Sequence, residues 1–257
     1  MSMVHLTLLA AGTPILLIAL RANLRTSLVH ALIWALAAWI AWGVAFAVGD
    51  LDGVVLNPFR YVALCLTGCA GVAVLGARRP HALAWNLVVL GLFAVMVLPL
   101  LETAFLGTHP VDVVRIVFLA GTLAVGIVNY LPTRMGPAAF AVLMACGAGM
   151  VNLFLPEMLS PPVRFFFDGL LIAAPWLGLA FRARTKGSDG DLVWRRFRDS
   201  WGLVWGQRVR EQFNRATENA GLPVSLHWRG LVGNTEKDEG TATLRAILQR
   251  FLEPGDQ

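Results

Sequence analysis

Seven apolar runs fill the first 181 residues, at roughly 4–20, 28–48, 60–77, 82–106, 113–131, 136–155 and 163–181. A helix needs about twenty such residues to cross a hydrocarbon core of ~30 Å, because in lipid every backbone polar group has to be satisfied inside the segment. That spacing predicts an all-α polytopic helix bundle of about seven transmembrane helices. The first run is short and carries Thr13-Pro14, and a signal peptide is the competing reading. Against it, "MSMVH" has no basic stretch, and the nearest charges, Arg21 and Arg25, follow the apolar run.

Charge divides the chain in two. Residues 1–181 hold eight Arg, no Lys and six acids, whereas 182–257 hold thirteen Arg and Lys and ten acids. With 57% hydrophobic and 14% charged residues overall, the expected organisation is a membrane bundle over 1–181, a linker over 182–190 and a small, mainly helical cytoplasmic domain over 191–257. The orientation follows from loop charge. Segments after runs 1, 3, 5 and 7 carry Arg21 and Arg25, Arg78 and Arg79, Arg134, then Arg182, Arg184 and Lys186. The alternate segments carry Asp50 and Asp52, Glu102 and Asp112, then Glu157. Basic loops stay on the cytoplasmic side, so the N-terminus is expected outside and the tail inside.

Landmarks recur inside the bundle. "HALIW" at 30–34 returns as "HALAW" at 81–85, with a looser "GPAAF" at 136–140. Arg60, Arg115 and Arg164 each open an apolar run that ends in an Arg 18 or 19 residues on. The chain therefore reads as one leading helix plus three hairpins of about fifty residues, an internal repeat, with ordinary helix-end decoration as the alternative. His30 and His81 fall at helix entries, where an interfacial imidazole is commonplace.

Ionisable groups at mid-membrane are costly and usually functional. Here the middle holds little beyond Thr67 and Thr122, with Asn86, Asn129 and Asn152 toward helix ends. The distal rim is richer: Arg60, Glu102, Asp112, Arg115, Glu157, Arg164 and Asp168 all fall near one face. Asp112/Arg115 and Arg164/Asp168 have spacings at which side chains meet on one helix. Asp168 lies about 6 Å deeper than Arg164 and is expected to be paired. These residues read as interfacial ion pairs that set helix depth, or as a polar vestibule for an outer ligand. Cys65 and Cys69 share a helix face without a third ligand, so no metal is expected, and no cofactor. No His-Glu-x-x-His, Gly-x-Ser-x-Gly, Walker or Cys-x-x-Cys pattern occurs, which weighs against an enzyme. Gly68/Gly71, Gly121/Gly126 and Ala145/Gly147/Gly149 mark surfaces where helices can approach closely.

In the tail, Ser188, Asp189 or Asp191 can cap a helix that Gly221 and Pro223 end. Trp194, Phe197, Trp201, Trp205, Val209 and Phe213 form a stripe along it. "VSLHWRGLVG" reads as a strand or hairpin arm, and Leu244, Ile247, Leu248 and Phe251 as one face of a last helix. Gly202 and Gly206 each cost about 1 kcal/mol within a helix, so a close partner is expected against that notch: the last helix or another chain. Trp194, Phe197, Trp201, Gly202, Trp205, Gly206 and Phe213 are the expected tail-packing or partner surface: Phe197, Trp201 and Phe213 pack within the tail, any aromatic surface still exposed is left for a partner, and attraction of the basic flank to the inner membrane surface is the secondary reading.

The combination "RYVALCLTGCAGVAVLGARRP", "AWNLVVLGLFAV" and "WGLVWGQRVREQFN" resembles multi-pass inner-membrane proteins of planctomycete-type bacteria. The resemblance implies a bacterial inner membrane, in keeping with nineteen Arg to two Lys, and it supplies no activity to expect. The functional expectation is a scaffold or accessory subunit, in contact with the lipid bilayer, whose tail engages a protein partner or its own copy and no nucleic acid. The alternative is a transporter or binding protein for a small solute: a deep cavity lined by Asn86, Asn152 or Asp168 favours it, and a filled interior favours the scaffold.

Overall fold

The computed structural model describes residues 2–49, 57–77, 82–106, 113–182, 187–233 and 237–251. Among them the elements run α1 (Ser2–Ala22), α2 (Val29–Val48), α3 (Pro58–Leu75), α4 (Ala82–Leu106), α5 (Val113–Val128), α6 (Gly136–Phe154), α7 (Pro161–Arg182), α8 (Asp189–Asn219), β1 (Ser225–His227), β2 (Gly230–Val232) and α9 (Lys237–Leu248). Single 3-10 turns at Pro156–Met158 and Gln249–Phe251 complete them.

Six helices, α1 to α4, α6 and α7, are long and apolar enough to cross a membrane, consistent with a multi-pass membrane protein. Seven were expected; α5 is the exception at 16 residues, or about 24 Å. Its expected last turn does not form as α-helix. Tyr130 donates to Ile127 O and Leu131 to Val128 O, i to i−3 bonds, and Pro132 has no N–H with which to continue. Outward faces are apolar, with Ile18, Ile40, Leu87, Val95, Val117 and Phe166 all exposed, as lipid-facing helices require.

α3 is the central helix, packed by α2, α4, α5 and α6. Half of its apolar window is buried, against 17–33% for the other long helices. Its small residues explain this. A Cβ on Gly71 would stand 2.5 Å from Gly126 Cα of α5, and one on Gly68 3.0 Å from Thr122 Cγ2, so the two backbones touch at that crossing. Gly149 of α6 meets Trp42 and Leu64, whereas Gly121 and Gly147 face open space. Trp42, Leu64, Cys65, Cys69, Val89, Leu119 and Cys146 fill the interior with almost no exposure.

The three expected hairpins are packed differently. α2 lies along α3 and α6 along α7, but α4 and α5 each pack chiefly on α3. Arg60 is buried while Arg115 and Arg164 are half-exposed. His81 of the second landmark lies outside the described residues. One neighbour does meet the first landmark, where Trp34 Nε1 donates to Asn86 Oδ1 at 2.7 Å, whereas Trp85 turns to α3 and donates through Nε1 to Val72 O at 3.1 Å.

In the tail, Ser188 caps α8 by accepting from Asp191 N at 3.3 Å, so α8 starts at Asp189, just inside the expected linker. β1 and β2 form a two-stranded antiparallel hairpin with Leu226 opposite Leu231. Asn214 of α8 holds β1 as a strand partner would: its Oδ1 accepts from Leu226 N and its Nδ2 donates to Leu226 O. Leu244, Ile247, Leu248 and Phe251 are buried as one face.

Candidate functional site

The part of the molecule built with most specificity is the junction between the tail and the bundle. Everything there starts from one backbone feature. α8 is broken at Gly202, where φ is +81° and ψ −167°, a conformation that disfavours any side chain. A break in a helix strands main-chain groups that have to find partners. Here they find Asn129, the buried residue just past the end of α5. Asn129 O accepts from Leu203 N at 2.7 Å, its Oδ1 from Val204 N at 2.9 Å, and its Nδ2 donates to Trp201 O at 3.3 Å. One residue of the bundle thus replaces the missing helical bonds on both sides of the break.

Neighbouring bonds extend this seat. Tyr130 Oη donates to Ser200 O at 2.9 Å, and burial pushes its phenol pKa well above the ordinary value. Asp199 accepts from Arg134 N at 3.3 Å and from the Arg198 guanidinium at 2.7 and 2.9 Å. Three tail indoles donate to carbonyls at the helix ends: Trp201 to Ala77 O at 3.3 Å, Trp205 to Val74 O at 3.0 Å and Trp228 to Pro132 O at 3.0 Å. Ser27, between α1 and α2, joins in, with Oγ donating to Ala77 O and its N–H to Phe251 O. The last four carbonyls of a helix lack intrahelical donors, which is why aromatic N–H groups find acceptors at the end of α3.

Inside the tail the stripe is closed over. Phe251 packs edge-on to Phe197, Trp201 and Trp205 with centroids 4.8 to 5.7 Å apart. Trp194, Phe197, Trp201, Gly202, Trp205, Gly206 and Phe213 are all buried, so the partner surface expected on these residues is occupied within the chain. The notch partner differs from expectation too. Asn129 of the bundle lies against Gly202, and the Trp228 ring of the hairpin against Gly206, 3.1 Å from where a Cβ would stand. Asp191 pins the hairpin by accepting from Leu231 N at 2.8 Å. Burial raises its pKa, but this bond, those from Ser188 and the Arg195 charge outweigh burial and lower it below the usual carboxylate value.

The opposite, distal end of the bundle carries the expected rim. Asp168 is paired, but with another helix: Arg60 of α3 donates to both its oxygens at 3.2 and 3.1 Å, and both side chains are nearly buried. Arg164, one turn from Asp168, donates through Nε to Leu159 O. Arg115 meets Glu102 of α4 with two bonds, 2.6 and 3.2 Å, and Asp112 lies outside the described residues. Glu157 is exposed. Sequence reasoning missed His5. It is buried between Phe165 and Phe46, centroids 4.3 and 5.3 Å away, and the Arg60 guanidinium approaches the same Phe46 ring at 5.8 Å. His5 Nε2 and Asn152 Oδ1 are buried without a hydrogen-bond partner among the described residues.

Among the described residues no three His, Cys, Asp or Glu side chains group as metal ligands. A crevice lined by Ser27, His30, Ala73, Gly76, Ala77, Trp85 and Asn86 at the tail end is too narrow for a water. Neither a protein family, nor a curated protein, nor a solved structure matches the chain.

Proposed function

We propose that this chain is a membrane scaffold or accessory subunit that holds its tail as a fixed platform at one face of the bilayer. In this reading α5 crosses with the six longer helices, giving seven spans, the N-terminus is outside, and 191–257 is a cytoplasmic domain at a bacterial inner membrane. The observation that carries it is the insertion of Asn129 into the break of α8. A tethered tail needs no such seat, whereas a platform that presents one face to a protein partner or a second copy does. The closely packed interior among the described residues supports the same reading, with Trp42, Leu64, Val89 and Leu119 almost wholly buried, as do tail features left outside: Arg196, Arg215 and Arg229 are exposed, and Val232 of the hairpin is 56% exposed.

A second reading, binding of a small solute at the distal end, has one observation in its favour: the inclusion of His5, Asn152 and the Arg60–Asp168 pair in an otherwise apolar interior. Photo-crosslinking residues at Arg215 and Val232, compared with Phe140 and Leu179 on the bundle, separate the two. A discrete protein adduct from the tail positions supports the platform. Its absence, together with solute uptake by proteoliposomes that Asp168→Asn abolishes, overturns it. Reporter fusions after Asp52, Thr108 and Gly187 test the orientation, and a periplasm-only reporter active at Gly187 reverses it.

A further inference from the structure

Three arginines lie next to residues that join the tail to the bundle, and their placement suggests what they meet. One such residue is Phe251. Its carbonyl accepts from Ser27 N at 3.2 Å, in the loop that follows α1, and its ring lies 5.3 Å from that of Trp205. Each contact brings a cation to the end of the bundle. Arg250 precedes Phe251. Arg208 holds its guanidinium carbon 5.0 Å from the centre of the Trp205 ring, and the Trp205 indole is bonded to Val74 O of α3. Arg21 is in the last turn of α1, shortly before Ser27.

All three arginines are exposed, and none has a carboxylate partner among the described residues. The next carboxylate along α8, Glu211, accepts from Gln207 Nε2 at 3.1 Å. Arg134 and Arg198, by contrast, are engaged by Asp199. Unpaired positive charge thus gathers where the apolar helices end, beside indoles that favour an interfacial level. An exposed guanidinium keeps N–H groups free, and its planar fork fits two phosphate oxygens.

We infer that Arg21, Arg208 and Arg250 bind the phosphate headgroups of anionic phospholipids in the leaflet on the tail side, so that lipid completes the junction between tail and bundle. This rests on the membrane-spanning reading above and adds a ligand to it. Each arginine near an anionic surface strengthens binding roughly fivefold, so three acting independently give on the order of a hundredfold.

The test uses the full chain in nanodiscs of mixed phosphatidylcholine and phosphatidylglycerol, extracted gently and weighed by native mass spectrometry. Wild type is expected to retain phosphatidylglycerol preferentially, and to keep it when inorganic phosphate is added, which separates a lipid from a free-phosphate site. Arg208→Gln alone should lower retention about fivefold, and the Arg21→Gln/Arg208→Gln/Arg250→Gln variant should abolish the preference. Arg215→Gln/Arg245→Gln, on exposed tail positions, should leave it intact. Equal retention by the triple variant overturns the inference, as does equal loss in the Arg215/Arg245 control, which would reduce the effect to net charge. Displacement by phosphate overturns the lipid assignment. A chain that does not enter nanodiscs removes the membrane-spanning reading instead. Tryptophan emission checks that each variant keeps the tail seated, and the single Arg208→Gln variant stands as the test if the triple one does not fold.

Discussion

The two ends of the bundle are held by different chemistry. At the distal end the contacts between helices run charge to charge, Arg60 to Asp168 and Arg115 to Glu102. At the tail end they run mostly from neutral N–H groups to amide carbonyls, with Asn129, Trp201, Trp205 and Trp228 as the side chains, and one longer ion pair, Arg134 to Asp199 at 4.0 Å, lies beside them. A buried charge pair is costly to break and adds little net stability when intact, because desolvation offsets its attraction. Bonds to backbone are individually modest, yet they require one geometry. The distal end therefore fixes which helices stand together, and the tail end fixes a register between two parts of the chain.

Four perturbations sharpen this contrast, in falling order of expected effect. Asp168→Leu leaves the Arg60 charge buried and is expected to cost about 3–5 kcal/mol, read as a lowered thermal midpoint in detergent. The double variant Arg60→Leu/Asp168→Leu should recover most of that loss; if the double is as unstable as the single, the pair contributes more than specificity. Gly202→Ala attacks the other end. Its methyl would stand 2.1 Å from Asn129 Nδ2 at a positive φ, for an expected penalty of about 2–4 kcal/mol. The tail should become sensitive to limited proteolysis while the bundle stays folded, and a tail still protected would show that the break is not the seat.

Trp205→Phe removes one indole donor and keeps the ring, so about 0.5–1.5 kcal/mol should be lost, with faster amide exchange in α8 as the readout. Unchanged exchange would mean that packing on Phe251, and not the bond to Val74 O, holds this residue. The smallest effect belongs to Asp191. Its folded pKa lies below the ordinary value of 3.8, so its contribution is present at neutral pH and lost as pH falls from that value through the lower folded one. Asp191→Asn should flatten this acid limb and loosen the hairpin by about 1 kcal/mol or less. An acid limb that persists in Asp191→Asn assigns it to other carboxylates.

Much of the architecture could be read from the chain, because apolar runs of bilayer length and terminal signals are local. The helix boundaries fell close to those runs, Ser188 capped α8, "VSLHWRGLVG" became the hairpin, and Leu244, Ile247, Leu248 and Phe251 shared the face that periodicity gave them. Gly202 and Gly206 signalled a close neighbour through their cost in a helix. The identity of that neighbour had no local signature: Asn129 is one asparagine before a proline turn, and its role exists only because α5 ends beneath the middle of α8. Asp168 announced that it needed a partner by its depth, and the same-helix spacing pointed to Arg164, but Arg60 of α3 reaches it instead. His5 carried no pattern at all.

What the sequence determined by itself is therefore the class of solvent each segment tolerates. Runs of about twenty apolar residues have to be buried in lipid or protein whatever their neighbours are, and a stripe of indoles has to be covered. What only the tertiary structure decided is the pairing: which carbonyl receives which indole, which helix supplies the arginine for Asp168, and which asparagine enters the break at Gly202. Hydrophobic burial is non-directional and scales with area, so it is legible one segment at a time. Hydrogen bonds and ion pairs depend on distance and angle between residues 72 to 131 positions apart, and those are set once the helices have packed.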